Sequence, residues 1–291
     1  MSTVSLRSRE LGVNRSCHPG RRATNPRLTS HVGSSRLASK VPQRLVTGAE
    51  AYSVRYFAQD FLAAIVTFAL ALGWLRLMDG LAARGMIEPR LSRKIIHIGT
   101  GPLFVLCWLL FSPSPAARFI AALVPLAITA QFVFVGLGWV RDENAVKAMT
   151  RSGIRREILR GPLFYGLVFV AFTLLFWRTT PIGIVALMIL CAGDGLADVL
   201  GKRFGRTPLP YNRGKTLEGS AAMFLGGLAT SVVMAMVFQA ASIFLPPIGL
   251  AAIPAIALIA LASTIVETLP LPDVDNLTVS ATAAALGLLF F

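Results

Sequence analysis

The stretch PIGIVALMILCAGDGLADVLGKRFG, residues 181–205, decides the fold. From Pro181 through Gly193 it carries no charge, and then Asp194, Asp198, Lys202 and Arg203 follow within about three turns of helix. An apolar helix that ends in a burst of ionisable groups reads as a membrane span reaching its polar interface. Crossing the hydrocarbon takes about 20 mostly apolar residues, and here the span is placed at 181–199.

Working outward, the same kind of run recurs near 58–76, 96–112, 117–140, 161–177, 219–245, 248–267 and 276–291. Of the 291 residues, 55% are hydrophobic and 14% are charged, a balance that a soluble domain does not keep. The expected fold class is therefore all-α, a polytopic transmembrane helix bundle of seven to eight spans. The count is open because the run at 96–112 is short and the one at 276–291 ends with the chain. Gly, Ala and Ser inside the spans suit close helix contact in lipid.

The formal charge of +14 has a telling distribution. Residues 1–55 hold ten Lys/Arg against Glu10 and Glu50, together with 13 Ser/Thr. This acid-poor, Arg- and Ser-rich tail reads as a disordered organelle transit peptide or, alternatively, as a disordered basic tail. The transmembrane domain is then 56–291. In that domain, loops on one side, near 77–95, 141–160, 200–218 and 268–275, carry sixteen Lys/Arg counting from Arg76, whereas the opposite connections carry Arg118 and Arg178. By the positive-inside rule the rich face is cytoplasmic or its stromal equivalent. A tail starting on the other side conflicts with its own charge unless it is removed. With the excess charge divided between a tail and a membrane face, nucleic acid is not an expected partner. Cys17, Cys107 and Cys191 have no metal-ligand spacing, and His18, His31 and His97 do not cluster, which argues against a zinc enzyme.

Every polar motif falls on the charged face. Transporters more often place polar groups near the bilayer midplane, so the chemistry here belongs to an interface. Asp194 and Asp198 are four apart and share one side of a helix. They suit a shared Mg²⁺, which takes one or two protein carboxylates and completes its shell with phosphate and water. The other reading is a pair of helix-end acids neutralised by Lys202 or Arg203. Gly193, Gly195, Gly201 and Gly205 allow close backbone approach to a nucleotide, or form a helix-packing face.

In GKTLEG at 214–219, Lys215 and Thr216 resemble the end of a P-loop, but Leu209 stands where the first glycine belongs and no strand precedes it. Lys215 still suits phosphate as a point charge, and Glu218 suits metal binding or orienting that lysine. A positive-inside anchor is the plain alternative for Lys215. The segment 148–162 is dense in guanidinium groups, among them Arg151 and Arg156. These point to phosphate oxygens or to anionic lipid headgroups. Arg93 and Lys94 enter a span with His97 one turn on, a histidine satisfied by backbone or engaged in catalysis. Glu267 closes the seventh run, ahead of Asp273 and Asp275, and suits metal coordination or proton acceptance.

At these residues the chain resembles the polyprenol kinase family of phytol, farnesol and dolichol kinases. The matching stretches are RKIIHIG at 93–99, MTRSGIRREILRGPL at 149–163, GDGLADVLGKRFG at 193–205, PYNRGKTLEGS at 210–220 and VETLPLPDVDNLTV at 266–279. The compact form is nearer to phytol and farnesol kinases than to the longer dolichol kinases. The resemblance implies transfer of the γ-phosphate of CTP, with Mg²⁺, to a long-chain isoprenoid alcohol in a membrane. It implies phytol first, giving phytyl phosphate in phytol salvage toward tocopherol. It makes Asp194, Asp198, Lys215 and Glu218 nucleotide-site residues. In the resulting scheme Asp194 and Asp198 hold Mg²⁺-CTP, Lys215 and Arg203 contact phosphates, and Asp198 or Glu267 takes the hydroxyl proton. The tail places this activity in a chloroplast membrane facing the stroma; a bacterial inner membrane is the alternative. Competing readings are a farnesol or geranylgeraniol kinase, a cytidylyltransferase forming a CDP-lipid, and a small membrane transporter.

Overall fold

The computed structural model describes residues 43–150, 152–244, 247–271 and 274–291. The basic tail placed at 1–55 therefore lies outside the described residues up to 42, as do Arg151 and Asp273.

Helix α1 (Gln43–Ala83) is followed by α2 (Pro89–Cys107), whose Pro89 sits in the first turn, where its missing N–H costs nothing. Helix α3 (Ala117–Leu137) stops at Gly138, which takes the left-handed φ of 83° that ends helices. Two short pieces then fold back on α3. Helix α4 (Glu143–Met149) is capped by the Asp142 carboxylate, which accepts from Ala145 N at 2.9 Å. A 3₁₀ turn at Arg155–Leu159 buries Ile158 against Phe132 and Val135.

Helix α5 (Gly161–Leu175) leads to α6 (Pro181–Met188), a π-helical turn at Ile189–Gly193, and α7 (Asp194–Phe204), which together form one span. An antiparallel hairpin, β1 (Pro208–Leu209) and β2 (Asn212–Thr216), precedes α8 (Leu217–Ala240). Helices α9 (Ile253–Glu267) and α10 (Asp275–Phe290) complete the bundle.

Among the described residues, seven helical segments are long and apolar enough to cross a membrane, and Asp275–Phe290 is a shorter apolar helix. The bundle is thus all-α and polytopic, within the expected seven to eight spans. Two local differences from the sequence reading matter. Helix α2 starts at Pro89 rather than near 96, so Arg93 and Lys94 stand on helix and not in a loop. The region 208–216, read as an irregular loop, contains the hairpin, because Pro208 and Pro210 exclude helix and leave the chain extended.

The span Pro181–Phe204 runs through the centre, and every residue from Ile182 to Gly193 is buried. Its neighbours are α2, α5, α8 and α10. Lipid tails are as apolar as leucine, so close contact rather than water exclusion holds such helices together. Helices α7 and α8 meet backbone to backbone: a Cβ on Gly201 would lie 3.2 Å from Gly219 Cα.

The end of the bundle opposite the charged loops has its own polar lock. Asp60, on α1, accepts from Ser112 N at 2.6 Å and Ser112 Oγ at 2.9 Å. Arg178 donates to Trp108 O at 2.5 Å and Ser112 O at 2.7 Å, and lies over the Trp177 ring. Both side chains are buried. Burial lowers the Arg178 pKa, and the charge of Asp60 opposes that shift.

Candidate active site

Asp194 opens α7 directly after the π turn, and Asp198 stands one helical turn further on the same face. Helix α2 presents a lysine and a histidine to that face. Lys94 Nζ lies 3.4 Å from Asp198 Oδ2, and His97 Nε2 lies 3.3 Å from Asp194 Oδ2. The same Nε2 is 3.3 Å from Leu190 O, a carbonyl in the π turn. Lys202, one turn below Asp198, pairs with its other oxygen. The Asp194 and His97 side chains are about one-fifth exposed, deep enough to be held and open enough to be reached.

Strand β2 delivers the next cation. Lys215 pairs with Glu267, the last residue of α9, which is buried. Gly201 and Gly205, at the end of α7, lie against Thr216, the neighbour of Lys215, so the ion pairs of α2 with α7 and of the hairpin with α9 adjoin in one ionic cluster. The hairpin is fixed in place at both ends. Tyr211 Oη lies 2.9 Å from Thr268 Oγ1, and Asn212 Nδ2 donates to Thr268 O at 3.0 Å. At its base Glu218 accepts from Thr207 N at 3.2 Å and Thr207 Oγ1 at 3.1 Å. Thr216 caps α8, its hydroxyl accepting from Gly219 N at 3.2 Å.

The chain is similar to the rice (Oryza sativa subsp. japonica) protein named probable phytol kinase 1, chloroplastic. The two are 44% identical over 235 residues, 80% of this chain and 74% of the relative. It is also similar to two Arabidopsis thaliana proteins. The one named farnesol kinase, chloroplastic, is 37% identical over 265 residues, 90% of this chain and 86% of the relative. Phytol kinase 1, chloroplastic, is 34% identical over 271 residues, 92% of this chain and 88% of the relative. The chain belongs to the polyprenol kinase family. No family model and no solved structure matches it.

As a polyprenol kinase the protein is a phosphotransferase of the phytol-kinase type. Phosphoryl transfer asks mainly for positioning and for neutralisation of phosphate charge. The cluster holds ammonium and carboxylate groups, the side-chain types that such chemistry draws on.

The structure brings Lys94, His97, Asp194, Asp198, Lys215 and Glu267 together. Arg93 is half-buried on α2, on the turn that carries Lys94. The glycines stand at helix contacts: Gly193 against Met223 and Gly227, Gly195 against Ile98 and His97, Gly201 against Gly219, and Gly205 against Gly201 O and Thr216. Arg203 is exposed, with its guanidinium over the Phe204 ring. Thr216 acts as a cap and Glu218 as the tie to Thr207. Arg156 is exposed on the 3₁₀ turn, outside this cluster of contacts.

Two participants escaped the sequence reading or entered it only as neutralisers. Lys202 does pair with Asp198, as the helix-end alternative had it. Tyr165 on α5 packs its ring 4.6 Å from His97, donates to His97 O at 3.3 Å, and lies 3.1 Å from Cys191 Sγ. A tyrosine hydroxyl inside an otherwise apolar span needs a partner, and that need was the available signal.

Among the described residues no group of three or more His, Cys, Asp or Glu could hold an ion. Asp194 and Asp198 therefore suit a cation whose shell is completed by phosphate oxygens and water, and do not suit one caged by protein alone.

Proposed function

We propose that this protein phosphorylates a long-chain isoprenoid alcohol, with phytol as first acceptor and phytyl phosphate as product, using the γ-phosphate of CTP. One observation carries the reading: the ionic cluster of α2, α7, α9 and the hairpin stands where membrane spans meet their charged loops. There a water-borne nucleotide and a lipid-borne alcohol meet. The names of the relatives support phytol and farnesol as the acceptor class.

Bound Mg²⁺, held by Asp194 and Asp198, would neutralise charge on the nucleotide phosphates. Lys94, Lys202 and Lys215 add positive charge around the same oxygens. His97, fixed between Asp194 and Leu190 O, orients the Asp194 carboxylate. Asp198 is engaged by two ammonium groups and Glu267 by one, so Glu267 is the acid whose oxygen is more easily freed to take the hydroxyl proton. The relatives are named chloroplastic, and the excess of positive charge on the loops supports a site on the stromal side of a chloroplast membrane.

The test is product analysis. Membranes carrying the protein are incubated with phytol, farnesol and geranylgeraniol against CTP and ATP, with and without a Mg²⁺ chelator. Phytyl phosphate with CDP, lost on chelation, is the expected result. Release of pyrophosphate with a CDP-lipid overturns the kinase reading.

A further inference from the structure

Beside the ionic cluster, α8, α9 and the hairpin enclose an open groove of about 300 Å³. Its walls are Leu217 and Phe224 on α8, Leu261 and Ile265 on α9, and Leu209 and Tyr211 on the hairpin. Both helices are long and apolar enough to cross a membrane, so the helical walls of the groove belong to candidate spans. We propose that it holds the hydroxyl-proximal part of the acceptor's isoprenoid chain, an inference that rests on the alcohol kinase reading above.

Three features choose this occupant. First, the groove is lined by the segments that carry the reacting groups. Thr268 lines it and follows Glu267 in the chain, while Leu217 lines it two residues after Lys215. An alcohol lying in the groove thus brings its hydroxyl to the Lys215–Glu267 pair. Second, the groove is drier than its composition suggests. Ser220 donates to Thr216 O, Thr264 to Ala260 O and Thr268 to Ile265 O, each within its own helix or its cap. Their hydroxyls are spent on backbone, and what faces the groove is hydrocarbon. Third, its size is at the small end of ligand sites, about 300–1,000 Å³. It accommodates the first units of a chain and leaves the remainder among the lipids, as a substrate drawn from the bilayer requires. Tyr211, held by Thr268 at 2.9 Å, forms part of the hairpin wall.

The experiment uses the full chain in lipid nanodiscs and an isoprenoid alcohol with a diazirine in its first two isoprene units. Labelling of α8 and α9 along the groove, displaced by unlabelled phytol and not by added phospholipid, is the expected result. Filling the groove with Ala221→Phe, or from the other wall with Ile265→Trp, should raise the KM for the alcohol about tenfold or more. Labelling elsewhere, or labelling that phospholipid displaces as well as phytol does, overturns the proposal by making the groove part of the general lipid contact. An unchanged alcohol KM in both folded variants overturns it too. Should the unaltered protein phosphorylate no isoprenoid alcohol, the kinase reading fails instead, and the labelling still decides whether the groove takes the chain.

Discussion

The two ends of the bundle use the same chemical groups in opposite ways. Opposite the charged loops, Asp60 and Arg178 are buried and saturated: the carboxylate by Ser112, the guanidinium by the carbonyls of Trp108 and Ser112. At the charged end the acids are partnered by other ionisable side chains, Lys94, Lys202, His97 and Lys215, and several remain partly open to water. Groups bound to fixed backbone hold helices in register, and their partners cannot leave. Groups bound to one another's flexible tips can exchange those partners for a ligand. The contrast separates a structural ionic site from a chemical one without reference to sequence position.

Substitutions can break or sharpen this contrast. The largest effect is expected for Asp194→Asn, with turnover falling about 10²–10⁴-fold and the melting temperature unmoved. A large melting shift there would make the charged end structural as well. Lys215→Met should lower turnover by about 10²–10³-fold and also destabilise, because it leaves Glu267 buried without its cation. Adding Glu267→Gln should restore the melting temperature but not the turnover. At the far end Arg178→Met should cost about 1–3 kcal/mol in denaturation, through the orphaned carbonyls of Trp108 and Ser112, with turnover per folded molecule retained. Smallest is Thr216→Ala, which removes the α8 cap at about 1 kcal/mol. It should mainly loosen the hairpin, seen as faster amide exchange at Lys215.

The spans were legible because composition decides them: a long apolar run has few alternatives to crossing a membrane. The charged side of the bundle was legible too, from sixteen cations against two, and the ionic cluster lies on it. Pairings were not. Lys94 meets Asp198, and Lys215 meets Glu267, across distances in the chain that hydropathy cannot relate, and only packing of α2 on α7 and of the hairpin on α9 sets them. The glycines illustrate the same limit. Spacing allowed both a nucleotide cradle and a packing face, and the coordinates place Gly193 and Gly201 against α8 backbone. The hairpin was hidden because β1 is only two residues long, too short for any alternating pattern. The partnership of His97 with Leu190 O depends on the π turn, which leaves no trace in hydropathy.

That turn at Ile189–Gly193 has a mechanical consequence. A wider coil inserted into an α-helix advances the phase of everything after it. The greasy half of this span and its ionic half therefore obey separate rotational settings. Helix α6 can be aimed to suit its neighbours in the hydrocarbon while Asp194 and Asp198 are aimed at Lys94 and His97. Shortening the span by one residue at Ala192 would force a common setting, turning both carboxylates by about 100° and away from α2 while every apolar contact upstream stayed where it was.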